Sequence, residues 1–255
     1  MTTVGAAFAP SGRRPRLWLD DHGRVRHRIT PGEISNDLAG WIARDLVEPG
    51  LLDPAAFEET FVAVVREVDP GWTAFYRNTL ARDPEPGGTT AGMSPVHDRA
   101  AALAVGPDVV ELGCCFGFLS LRLAAAGHRV TAVDLVPGTA RLLASVSAAL
   151  GHPVATLAGD AGAIPLATGS ADTVYAVHLL EHLARGADAA VLAGMLRVAR
   201  RRVVVAVPFE DVPDPAWGHV RTFRLADLEA LGAATGLPHT VDEHHGGWLE
   251  VDLSA

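Results

Sequence analysis

The sequence predicts an α/β protein: an open, largely parallel sheet flanked by helices, preceded by a hairpin and a helical cap. Three observations predict it. From about residue 94 onward, short apolar runs alternate with segments whose apolar residues fall at helical spacing, the rhythm of a parallel sheet with right-handed crossovers. The chain then closes on two strand-like runs, 239–243 and 248–253, with only residues 244–247 between them. That connection is too short for a helical crossover, so the two runs form a hairpin. Before residue 83 there is no such alternation, and the apolar spacing is helical.

The elements follow in order. Residues 1–14 read as a flexible tail. Leu17-Trp18-Leu19 and Val25 to Ile29 flank Asp20-Asp21-His22-Gly23, which predicts a hairpin. Between Ile34 and Leu80 the pattern Leu38, Trp41, Ile42, Leu46, then Phe57, Phe61, Val64, Val65 and Val68 predicts short helices. Pro49-Gly50 and Pro70-Gly71 break them. Residues 83–92, DPEPGGTTAG, read as a linker. They divide a tail, hairpin and helical substrate cap, residues 1–93, from a second domain, residues 94–255. In that domain helices are expected at 96–105, 116–126, 139–150, 188–199 and 224–235. Strands are expected at 108–112, 129–133, 154–158, 171–177 and 203–207, followed by the terminal hairpin.

Composition narrows the function. The chain has 255 residues, 49% of them hydrophobic and 20% charged, enough for a buried core. A net charge of −9 argues against a nucleic-acid partner, because phosphate neutralisation needs a clustered basic face. All 21 basic residues are Arg, and the densest run, Arg200-Arg201-Arg202, reads as a helix C-terminus complementing its dipole. The two cysteines, Cys114 and Cys115, are adjacent and do not suit a disulfide framework. No apolar stretch is long enough for a bilayer span and none resembles a signal peptide, so a soluble, cytoplasmic protein with no membrane partner is expected.

The sharpest motif is Val109-Val110-Glu111-Leu112-Gly113-Cys114-Cys115-Phe116-Gly117. A strand ends in an acid, the chain turns on glycines, and a helix begins. Glycines there admit a ligand close to the backbone, and the helix N-terminus offers its amides. The spacing is G-x-x-x-G rather than the dinucleotide G-x-G-x-x-G, which disfavours a NAD-dependent dehydrogenase. Two more acids, Asp134 and Asp160, follow the second and third predicted strands.

Glu111 to Gly117 resembles the class I S-adenosylmethionine (SAM) methyltransferase pattern E/D-x-G-x-G-x-G, with Cys115 in place of the middle glycine. Asp134, Asp160 and the run DTVYAVHLLEHL, 172–183, fall in the register of that family. The resemblance covers about residues 94–253. It implies a Rossmann-like seven-stranded sheet whose last strand inserts antiparallel between the fifth and sixth. It also implies SAM lying across the C-terminal ends of the first four strands. Asp134 would then hold the ribose hydroxyls and Asp160 the adenine amino group. Glu111, Gly113, Cys115, Gly117, Asp134, Leu135, Asp160, Ala161 and His178 are the expected cofactor contacts.

Methyl transfer to a hydroxyl requires removal of a proton, and histidine is the natural base near neutral pH. Three histidines fall on the expected rim. His219, in the loop after the fifth strand, is the preferred base. His182, in Leu180-Glu181-His182-Leu183, matches a motif shared across the superfamily, which favours a structural role. His178 ends a strand and is expected to shape the pocket. Glu181 with His182, or Glu210 with Asp211, could instead hold a divalent metal, although solvated acids are the plainer reading. Trp18, Trp41, Trp72, Trp217 and Trp248 all lie outside residues 73–216. Aromatic faces there suit a sugar ring, or else the tryptophans are core residues of the cap, Trp41 first.

Four segments resemble the methyltransferase associated with mycofactocin biosynthesis: residues 15–19 (PRLWL), 75–80 (FYRNTL), 213–219 (PDPAWGH) and 244–248 (HHGGW). This resemblance implies O-methylation of a glucose unit on a glycosylated, peptide-derived redox cofactor, and so a small-molecule glycoside partner. Transfer to nitrogen or carbon of another metabolite, or a non-catalytic SAM-binding subunit, are the alternatives. The acceptor atom, metal dependence and oligomeric state are not encoded in any motif.

Overall fold

The structure, a computed structural model, describes residues 15–81 and 88–254. The expected tail, residues 1–14, and residues 83–87 of the expected linker lie outside the described residues. The chain divides into two compact units with the boundary between Ala91 and Gly92.

In the first unit β1 (Leu17–Leu19) pairs antiparallel with β2 (Val25–His27), Leu17 opposite His27 and Leu19 opposite Val25. Their turn is made by Gly23 at φ +72° and by the Asp20 carboxylate, which accepts from the amides of His22 and Arg24. Helix α1 (Leu38–Ile42) continues into a π-helical turn, Ala43–Val47. That turn points the buried Asp45 carboxylate at the amides of Arg16 (2.7 Å) and Leu17 (3.2 Å), tying the hairpin to the helix. Helices α2 (Phe57–Val68) and α3 (Thr73–Ala81) are separated by Asp69, whose carboxylate accepts from the Ala74 and Phe75 amides at the start of α3. Phe61, Phe75 and Tyr76 form an edge-to-face chain, with centroids 5.8 and 5.3 Å apart.

Helix α4 (Thr89–Ala102) begins inside the expected linker, well before the expected start at residue 96. Its free N-terminal amides find a partner far away in sequence, because the Thr90 amide donates to the buried Asp37 carboxylate at 2.9 Å. A cap supplied by tertiary contact leaves no local signal.

The second unit holds a seven-stranded sheet in the order β5-β4-β3-β6-β7-β9-β8. The strands are β3 (Asp108–Leu112), β4 (Arg129–Asp134), β5 (Ala155–Ala158), β6 (Ala171–Val177), β7 (Ala199–Val207), β8 (His239–Glu243) and β9 (Gly247–Asp252). Strands β3 to β7 are parallel, and β9 runs antiparallel against β7, with Val205 opposite Leu249. The inserted antiparallel strand is the expected Rossmann-like methyltransferase arrangement. Helices α5 (Phe118–Ala125) and α6 (Pro137–Ala149) pack along β4, α7 (Ala187–Val198) along β6 and β7, and α8 (Leu225–Ala234) against β8 and β9. Every residue of β6 is buried, as befits a central strand. Val174, Met195, Val203, Val205, Phe223 and Leu249 lie in its core.

The arginine run corrects a sequence expectation. Helix α7 stops at Val198, and Arg200, Arg201 and Arg202 belong to β7. Arg200 reaches Asp172 at 2.9 Å and Asp108 at 2.8 Å, and Arg129 meets Asp108 at 2.6 Å. These guanidiniums bind the N-terminal ends of β3, β4, β6 and β7 together and hold the Asp108 and Asp172 carboxyls below the usual range. Arg202 donates to the Leu103 carbonyl. Their task is to clamp the sheet edge opposite the binding rim. Among the described residues, no helix is long and apolar enough to cross a membrane.

Candidate functional site

Parallel strands place the ends of β3, β4, β5, β6 and β7 on one rim, the usual ligand crevice of an open sheet. At β3 the chain turns sharply, with the Gly113 and Cys114 amides donating to the Val133 carbonyl (2.8 and 3.2 Å). Gly113 sits at φ +66°, and a Cβ there would lie 2.7 Å from the Leu179 side chain. Gly117 sits at φ +74°, where a Cβ would run into the Leu143 side chain. Both positions therefore require glycine, on conformational and steric grounds. Cys115 also adopts a left-handed backbone, φ +48°, which is why a glycine would suit this place. It is exposed, whereas Cys114 is buried and its thiol pKa is driven up by burial.

Asp134, at the end of β4, fixes the turn. Its Oδ2 accepts from the Cys115 amide (2.8 Å) and its Oδ1 from the Val136 amide (2.9 Å). The next two residues, Leu135 and Val136, are 71% and 47% exposed, so large apolar surface stands in solvent beside this carboxylate. Glu111 lies behind the turn, buried, where it accepts from the Ser120 hydroxyl. Burial raises its carboxyl to about 7. Asp160 is exposed at the end of β5 and accepts from the Gly162 amide at 2.8 Å, capping the single turn Ala161–Ala163.

Next along the rim, the loops after β6 and β7 gather ionisable groups. His178 follows β6 directly in a left-handed conformation, φ +52°, the kind of strain that recurs at functional sites. Burial lowers its pKa to about 4, so the ring is neutral. The turn Leu180–His182 points Glu181 inward and leaves His182 exposed. Glu181 is 1% exposed, burial raises its carboxyl to about 8, and its carbonyl accepts from the Val220 amide. That bond draws the loop after β7 over the turn. From that loop comes His219, whose Nδ1 lies 2.8 and 2.9 Å from the two oxygens of Glu210. Its Nε2 is 4.0 Å from Glu181, and its ring meets His182 edge-to-face with centroids 5.0 Å apart. A carboxylate only accepts, so His219 Nδ1 carries a proton, and in the neutral ring Nε2 holds the lone pair. By the same reasoning His182 Nδ1, 3.2 Å from the Gly218 carbonyl, is the donor on that ring.

Residues 109–202 match a family model described as a methyltransferase domain. No curated protein matches the chain in sequence. Among solved structures, magnesium protoporphyrin IX methyltransferase from Synechocystis PCC 6803, with S-adenosylhomocysteine bound, is 17% identical. It aligns over 77% of this chain and 100% of its own, with a TM-score of 0.56. The PH0226 protein of Pyrococcus horikoshii OT3 is 15% identical over 69% of this chain and 94% of its own, TM-score 0.53. A SAM-dependent methyltransferase of Aquifex aeolicus is 18% identical over 79% and 97%, TM-score 0.50. At these identities the structures share the fold.

The structure places Gly113, Cys115, Gly117, Asp134, Leu135, Asp160 and Ala161 along the rim from β3 to β5. Glu111 stands behind it, and His178, His182 and His219 lie at β6 and β7. Two participants were missed in sequence. Glu210 was considered only as a metal ligand beside Asp211, whereas it fixes the His219 ring and Asp211 is exposed. His97, in α4, is near enough to His178 to disfavour its protonation. No sequence signal ties a helix residue before β3 to a strand end after β6. Trp41 is a core residue, as expected, and the sugar-facing reading is corrected for Trp72 and Trp248. Trp41, Trp72 and Trp248 are buried, and Trp248 lies in β9 with its indole N–H on the His244 carbonyl at 2.8 Å and Arg99 over its face. Their faces are packed and offer no surface to a sugar.

The glycine geometry yields a paired expectation. Gly117→Ala should destabilise the methyltransferase unit by about 1–3 kcal/mol, from left-handed strain and the Leu143 clash. In Cys115→Gly, relief of strain and added unfolded-chain entropy nearly offset, leaving stability within about 1 kcal/mol. Urea unfolding of both variants checks this, and equal losses at both positions would contradict it.

Proposed function

We propose that this methyltransferase acts on oxygen, methylating a sugar hydroxyl of a glycosylated small molecule of the mycofactocin type, with His219 as the base. The observation that carries the base assignment is the His219–Glu210 pair, 2.8 Å at its shorter contact. Glu210 orients the ring, holds the proton on Nδ1 and stabilises the imidazolium that forms when Nε2 takes the hydroxyl proton. The half-buried Trp217, two residues before His219, leaves an aromatic side chain near the base. The four segments similar to the mycofactocin-associated methyltransferase support the choice of a glucose hydroxyl.

SAM supplies a methyl group already activated by its sulfonium. The protein therefore has to hold, align and deprotonate. In this reading Asp134 accepts the two ribose hydroxyls, Leu135 packs on the adenine, and Asp160 with Ala161 recognises its amino edge. Gly113, Cys115 and Gly117 let the backbone approach the amino-acid tail, with Glu111 behind them. His178, neutral and fixed at the end of β6, shapes the floor beside the reacting carbon. Residues 15–80 serve as the acceptor-side cap. An acceptor glycoside should then slow hydrogen exchange in that segment, and protection confined to residues 92–254 would remove the cap role.

Incubation of the protein with SAM and candidate glycosides should give a product heavier by one methyl group, read by mass spectrometry and placed on oxygen by fragmentation. His219→Ala should lower kcat by about 10²–10⁴-fold while SAM affinity stays nearly unchanged. Methylation of nitrogen or carbon alone would overturn the acceptor class, and near-normal turnover of His219→Ala would overturn the base.

A further inference from the structure

One feature of the acceptor side is not consumed by proton transfer. Both carboxylate oxygens of Glu181 are buried without a hydrogen-bond partner, in a side chain 1% exposed. A buried carboxyl group with no partner is costly, and a cation is the partner that removes the cost most completely. The nearest candidates to share such a cation face it. One ligand atom from each of Glu181, His182 and His219 lies within 4.8 Å of the other two. In both rings Nδ1 is already committed, to the Gly218 carbonyl in His182 and to the Glu210 carboxylate in His219. In the neutral rings each Nε2 then carries the lone pair, and that of His219 lies 4.0 Å from Glu181. Metal-binding histidines are typically fixed in this way, with the second ring nitrogen donating to a carbonyl or a carboxylate. Two imidazoles, one carboxylate and the surrounding acceptors thus coincide at one place.

We propose that Glu181, His182 and His219 form a binding site for a first-row divalent cation of the imidazole-preferring class, with zinc as its representative. Three protein ligands leave a coordination position open, unlike a closed structural site. Bond lengths of about 2.0–2.2 Å to zinc bring ligand atoms to roughly 3–4 Å from one another. The cluster contracts on loading, chiefly by rotation of the exposed His182. Carboxylate and imidazole together favour zinc, nickel or cobalt over magnesium or calcium, which prefer oxygen alone. One consequence rests on the function proposed above. Zinc occupies the same His219 Nε2 lone pair that would accept the hydroxyl proton, so the loaded protein is inhibited.

The test is calorimetric titration of zinc into the metal-stripped full-length protein, alongside Glu181→Gln, His182→Ala and Glu210→Gln, with circular dichroism and SAM binding as controls for folding. Saturable binding of one zinc is expected. Each ligand variant should weaken it at least about tenfold, and Glu210→Gln about 10–100-fold through the oriented ring. His182 is exposed, so its variant carries the test if Glu181→Gln folds poorly. Absence of zinc binding, or equal binding by wild type and His182→Ala, would overturn the site. Methyl transfer in the same samples separates the two readings. Inhibition by zinc that a chelator reverses supports both, whereas zinc-loaded protein with undiminished turnover removes His219 Nε2 as the free base and leaves the cation site standing.

Discussion

Asp134 is the carboxylate on which the rim formed by the turns after β3 and β4 depends. It joins the turn after β3 to the turn after β4, one oxygen on the Cys115 amide and the other on the Val136 amide. A carboxylate offers about four lone-pair sites, so two remain after the backbone is served. Two is the number of hydroxyls on an adenosine ribose. The same group thus shapes the loop and retains the capacity to bind, and the loop keeps its form because Gly113 and Gly117 can occupy left-handed backbone conformations. Leu135, held outward between Asp134 and Val136, is the exposed apolar surface that such an arrangement leaves beside this carboxylate.

The sheet separates stability from chemistry by its two edges. Charges at the N-terminal ends of the strands are paired and cross-linked: Arg200 and Arg129 with Asp108 and Asp172. At the C-terminal ends, the Glu181 carboxyl has no hydrogen-bond partner, His178 is strained and neutral, and His219 is oriented by a single carboxylate. Groups left unsatisfied in a folded protein ask for a ligand, and here they cluster where the β6 and β7 loops meet.

Much of this was legible in the sequence because local patterns coincide with the tertiary structure. Strands β3 and β6 and the inserted β9 follow from apolar runs and a connection too short for a helix. Asp134 and Asp160 follow from their places after strands. What escaped reading was set by contacts distant in the chain. Helix α4 starts at Thr89 because Asp37 caps it from 53 residues away. Arg200 to Arg202 look like a helix end until Asp108 and Asp172 draw them into β7. Trp248 looks like a binding surface until the sheet buries it. The partnership of Glu210 with His219 depends on the curl of one loop, over which charge spacing alone is silent.

The central claim, that the Asp134-stapled turn is the SAM site, is tested most directly by calorimetric titration of SAM into the folded wild type and Asp134→Asn. The asparagine keeps the size but removes the charge and one accepting oxygen, and with it one of the two backbone bonds. Saturable binding by the wild type is expected, with affinity falling by about 1–3 kcal/mol in the variant, the usual effect of leaving buried polar partners unpaired. A folded wild type that takes up no SAM, or a variant that binds it equally well, would contradict the claim.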